Sequence, residues 1–170
     1  IREMASSLAL AHPTSPEALM AQVNVARSEG DYVGALRQME KIRALGHSNA
    51  EILHFYSEAL GSNARSSEAA AIAQKAIRLD PLNGEAHWVY GRILFSSGQL
   101  DKAVAAWRLG TLAAPDYLIN WTHLSEYLAY QGHLADAVTF GRHVATLDTA
   151  DPELYEFVAN YYLALEDYDS

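Results

Sequence analysis

The chain has 170 residues, half of them apolar, with 12 Lys and Arg against 21 Asp and Glu and a formal charge of −9. That balance is the opposite of the basic footprint that phosphate contacts require, which argues against nucleic acid, and the absence of cysteine excludes disulfides, thiolate catalysis and cysteine-held metals. No apolar run approaches the roughly 18 residues needed to span a bilayer, which predicts a soluble chain, and no segments follow one another in signal-peptide order.

Four alanines, Ala35, Ala69, Ala103 and Ala137, stand 34 residues apart, and the apolar pattern around them recurs in the same register. A unit of that length accommodates two short helices and two turns, and such a pair buries its apolar face only by stacking on its neighbours. Residues 1–15 then read as the second helix of a preceding unit. Full units follow over 16–49, 50–83, 84–117 and 118–151, and residues 152–170 read as the first helix of a truncated one. The expected architecture is one continuous all-α array with no internal boundary. Both ends fall in mid-unit without a polar cap, as in a piece of a longer array.

Within each unit, numbered 1 to 34, the first helix carries large residues at position 4 (Leu19, Leu53, His87, Trp121) and leucine at position 11 (Leu60, Leu94, Leu128), with Ala26 there in the first unit. Small ones stand at position 8 in Ser57, Gly91 and Ser125, with Val23 in the first unit. Spacings of three, four and seven make this an amphipathic stripe. Gly30, Gly98 and Gly132 at position 15 end the first helix where a positive φ is needed, and Ala64 departs from that column. The second helix brings its position-20 alanine against the small position 8 and closes before Pro81 and Pro115. Pro16 and Pro152 occupy first helical positions, where proline is tolerated.

These columns resemble the tetratricopeptide repeat family, and the third unit matches most closely, through Tyr90, Gly91, Leu94, Gly98, Ala103, Trp107, Gly110 and Pro115. The resemblance covers the whole chain and implies a right-handed superhelical α-solenoid whose ligands lie in the concave groove against the first helices. It assigns to that groove Glu17, Met20, Asn24 and Arg27, then Glu51, His54, Phe55 and Glu58. Glu85, Trp88, Arg92 and Phe95 follow, then His123 and Glu126, and last Glu153, Glu156, Phe157 and Asn160. Such a groove is acidic and aromatic. It lacks the lysines of repeats that clamp a C-terminal carboxylate and the asparagine ladder of glycosyltransferase repeats. Trp107, at position 24, is expected in the core.

Three constellations invite a chemical reading. Glu51, His54 and Glu58 lie on one helix face at a spacing used by carboxylate metal sites, but such sites need a second copy on a facing helix, and none is in register, so no metal is assigned. Asn120-Trp121-Thr122 fits the glycosylation acceptor pattern inside a helix, where it reads as structural. Ser, His and Asp are scattered and no phosphate loop is present, so neither catalysis nor a cofactor is expected. The sequence therefore predicts a non-enzymatic module that binds a protein or peptide, with a basic segment expected in the groove and self-association through the terminal helices. An alternative is the substrate-selecting or oligomerising region of a larger enzyme. An alanine-rich, cysteine-free chain suits a bacterial protein, in cytoplasm rather than periplasm, though the sequence fixes neither.

Overall fold

A computed structural model describes residues 15–147. Among these residues all regular structure is helical: α1 (Pro16–Ser28), α2 (Tyr32–Ala44), α3 (Ala50–Ser62), α4 (Ser66–Leu79), α5 (Gly84–Ser96), α6 (Leu100–Ala113), α7 (Leu118–Tyr130) and α8 (Leu134–Leu147). The expectations placed on Leu8, Glu153, Tyr155, Glu156, Phe157, Val158, Asn160 and Tyr162 lie outside the described residues. No described helix is long and apolar enough to cross a membrane.

The first helices of the repeats begin 34 residues apart, and their local signals recur with them. Ser15, Asn49 and Asn83, each immediately before a first helix, accept a hydrogen bond from the amide three residues on, at 3.1, 2.8 and 2.9 Å. Tyr117 stands in the same column before α7 and provides no side-chain cap. At position 15, Gly30, Gly98 and Gly132 adopt φ of 75°, 72° and 82°. The backbone imposes the same geometry on Ala64, at φ 60°. A Cβ in that region meets the following carbonyl. α4 and α6 each stop two residues before a proline, at Leu79 and Ala113, since the residue preceding proline is disfavoured in helix.

The chain divides into two compact units, the first running to Pro81 with Ser96–Gly98 and the second comprising Leu82–Phe95 and the residues from Gln99 onward. In the first unit α1 packs on α2, α2 on α3 and α3 on α4. Ala35 and Ala69 are sealed in their hairpins, with Leu19, Val23, Met39, Ile42, Leu53 and Leu60 filling the layers between. Asn63 Nδ2 donates to Tyr32 O at 2.8 Å, tying the turn after α3 to the start of α2. Arg65 spans Glu68 and Glu40 at 2.7 and 3.0 Å.

In the second unit α6 packs on α7 and α7 on α8. Its core gathers Leu94, Ala103, Ala106, Trp107, Leu124, Tyr127, Leu128 and Ala137. Ser125 Oγ donates to Ala137 O at 2.7 Å, which shows how closely positions 8 and 20 approach. In the preceding hairpin position 8 is Gly91, and a Cβ there would stand inside the Trp107 indole. Position 24 is therefore core, as the column predicts: Trp107 is 3% exposed, and its Nε1 donates to Trp88 O at 3.3 Å. Asn120 is wholly buried. Its Nδ2 donates to Gly84 O at 2.8 Å, and the side chain occupies space that any Cβ at Gly110 would close. The amide of the acceptor-like tripeptide is thus a structural group, committed inside the fold.

Two stability changes follow. Ala64→Gly removes a left-handed penalty of roughly 1–2 kcal/mol but adds unfolded-state entropy of about 0.4–1 kcal/mol. The expected net gain in a urea melt is up to about 1.5 kcal/mol, and a loss would show that the Ala64 turn is not strained. Trp107→Ala is expected to cost about 3–5 kcal/mol, and a cost below about 1 kcal/mol would place the indole at the surface.

Candidate functional site

The residues that the sequence assigns to a groove separate into two environments. In the first unit, Glu17, Asn24 and Glu51 are exposed on α1 and α3. Arg27 forms an ion pair with Glu58 at 2.8 Å, and its guanidinium lies 5.0 Å from the centre of the Phe55 ring. Glu58 is only 13% exposed, so one of the carboxylates expected to give an open acidic surface is instead partly buried and neutralised. His54, expected at the surface, is 1% exposed, with its ring 4.4 Å from that of Phe55. Desolvation by burial, with the charge of Arg27, lowers its pKa to about 4. The Glu51, His54 and Glu58 spacing consequently forms no cluster, and among the described residues no three His, Asp or Glu converge as metal ligands.

The second unit brings its candidates together. On α5, Arg92 and Phe95 lie one turn apart; on α7, His123, Glu126, Tyr127 and Tyr130 follow at i, i+3, i+4 and i+7 and share one face. Trp107 reaches between the two helices from α6. These seven residues line a cavity of about 490 Å³.

Its walls are mostly aromatic. Phe95 meets Tyr127 edge-on at 5.7 Å and Trp107 at 5.9 Å, while Trp107 lies 6.4 Å from Tyr127. Both indoles stack on His123, Trp107 at 5.6 Å and Trp88 at 6.1 Å. The Arg92 guanidinium lies 5.2 Å from the centre of the Trp88 ring. His123 Nδ1 stands 3.1 Å from Glu126 Oε2. Tyr130, 86% exposed, forms the outer rim.

Four of the seven lining residues, Arg92, Phe95, His123 and Glu126, are among those read from the sequence. Glu85 and Trp88 lie beside them on α5 but do not line the cavity. Trp107, Tyr127 and Tyr130 are additions. Trp107 belongs to the core column, yet its indole is long enough to fill the hairpin and still show a face to the cavity. Tyr127 and Tyr130 occupy positions 10 and 13, outside the assigned groove columns, although Tyr127 four residues after His123 and Tyr130 four after Glu126 are a signal present in the sequence.

The tetratricopeptide repeat pattern matches residues 62–124. Over those residues the chain is similar to the tetratricopeptide repeat family. Repeats of this class are in general protein-interaction modules rather than catalysts. The fold matches that of TTC0263, a thermophilic protein of the same repeat class from Thermus thermophilus, at TM-score 0.82 and 20% identity over 95% of this chain and 88% of that one. The type IV pilus biogenesis factor PilW matches at TM-score 0.76 and 18% identity, over 95% and 79% of the two chains. YrrB, described as having an unusual peptide-binding site, matches at TM-score 0.64 and 19% identity, over 88% and 77%. No curated protein matches the sequence.

The buried histidine makes the stability of this repeat chain pH-dependent. Because the folded pKa of His54 lies below the ordinary 6.5, the unfolded chain binds the proton more readily, and stability rises with pH where that difference holds. The His54 contribution is therefore complete above about pH 6.5 and is lost as pH falls toward 4. Urea melts from pH 7 to 4 are expected to show a steeper decline in the wild type than in His54→Gln, and parallel curves would show that His54 titrates normally.

Proposed function

We propose that this chain is a binding module for a segment of another protein, with one side chain of that segment seated in the aromatic cavity of the second unit. The cavity is the observation that carries this reading: about 490 Å³ bordered by Phe95, Trp107, Tyr127 and Tyr130 is the size and character of a recognition pocket. Of these rings Phe95 and Tyr130 are exposed, and exposed aromatic rings supply large contact area at little conformational cost. YrrB, which shares the fold, is itself described by a peptide-binding site.

The segment is basic on balance. The chain carries −9 overall, and the exposed side chains of Glu17, Glu51 and Glu126 face outward from α1, α3 and α7, so the field favours a cationic ligand. Arg27 offsets Glu58 locally, which moves the weight of recognition from the first unit to the second.

An array of 15-residue peptides of varied charge, probed with this chain, is expected to retain basic segments in preference to acidic ones. Binding should weaken as added salt shortens the Debye length from about 10 Å at 0.1 M to about 3 Å at 1 M. Phe95→Ala, at a half-exposed position, should reduce it with helix content unchanged. Preferential retention of acidic peptides, or binding indifferent to salt, overturns the reading.

A further inference from the structure

Proteins fill aromatic pockets with either apolar or cationic side chains, and the chemistry of this rim separates the two. Glu126 is 47% exposed in its side chain, and it pairs with the imidazole of His123 rather than with a lysine or arginine. The Tyr127 and Tyr130 rings follow it by one and four residues on the same helix. A carboxylate in the lining of an aromatic cavity is poorly suited to an aliphatic or phenyl group, which would desolvate it without compensation. It suits a cation, attracted by the carboxylate and by the negative faces of the rings together.

The described chain sets arginine against aromatic rings elsewhere. The guanidinium groups of Arg27, Arg43, Arg92 and Arg108 lie 5.0, 4.4, 5.2 and 5.5 Å from the centres of Phe55, Tyr56, Trp88 and Phe140. None of those four rings belongs to the cavity lining.

We infer that the cavity is an arginine pocket, in which a ligand arginine lays its planar head on the Tyr127 and Tyr130 side, forks its N–H donors to Glu126, and runs its methylene stem past Phe95 and Trp107. Resting on the binding role proposed above, this names the residue that the pocket reads. Arginine fits better than lysine because a guanidinium stacks on rings and meets a carboxylate through two parallel hydrogen bonds, whereas an ammonium is a compact, strongly hydrated point charge. The Arg92 guanidinium occupies the Trp88 side, which directs the incoming head to the Glu126 end.

Three blocked heptapeptides identical but for a central arginine, citrulline or phenylalanine separate the possibilities, with binding followed by NMR at the Trp107 indole N–H. Citrulline keeps the shape of arginine and removes the charge. The arginine peptide is expected to bind on the order of tenfold more tightly than the citrulline one. Glu126→Gln should abolish that preference while leaving the spectrum of the folded chain intact, and Tyr130→Ala should diminish it. Equal affinity for arginine and citrulline, a preference for phenylalanine that survives Glu126→Gln, or no perturbation of the cavity by the arginine peptide overturns the arginine assignment. The charge selectivity of the peptide array reports separately on the wider binding role.

Discussion

How closely the two helices of a hairpin can approach is the constraint on which the rest of each unit depends. Alanine at position 20 sets one side of that approach in every repeat described; at position 8 the first hairpin admits Val23, and Ser57, Gly91 or Ser125 sets the other side in the next three. With a larger side chain at either place in those three the backbones separate, and the layers of leucine and valine lose the contacts that a close-packed interior requires. The consequence is plainest between α5 and α6. There position 8 has given up even its Cβ, and the space accommodates an indole that a conventional hairpin could not admit. Trp107 then stacks on His123 and supports Phe95 and Tyr127. A packing concession at one glycine thus creates the back wall of the cavity.

Most of the fold is legible in the sequence because repetition turns one weak signal into several. A single alanine says little, but four at one interval locate every hairpin. Gly30, Gly98 and Gly132 mark the turn so consistently that the conformation of Ala64 follows from its register rather than its chemistry. The capping column of Ser15, Asn49 and Asn83 is harder to see. It is a polar signal placed just outside the apolar stripe that sets the register, and it lapses at Tyr117.

The site is legible only in part. Column positions tell which face of a helix points outward, and Arg92, Phe95, His123 and Glu126 follow from that. They do not tell how deep a face lies once its neighbours are in place. His54 occupies a nominal surface column and is nevertheless buried, alongside an Arg27 that lies across Phe55 and pairs with Glu58. Net charge is a similarly blunt guide, since a carboxylate's influence on a ligand depends on whether a cation of the same chain already holds it.

The tie between Asn120 and Gly84 has a kinetic meaning. It joins residues 36 positions apart, and the Asn63 to Tyr32 bond joins residues 31 apart, so the bonds that link one repeat to the next close loops of about one repeat length. Loop closure of that size is entropically modest, and chains whose contacts are near in sequence fold quickly. Each hairpin can therefore form as its own residues become available and be locked by the next repeat to emerge. For a chain made from its N-terminus onward, ordering can keep pace with synthesis without waiting for a distant segment to arrive.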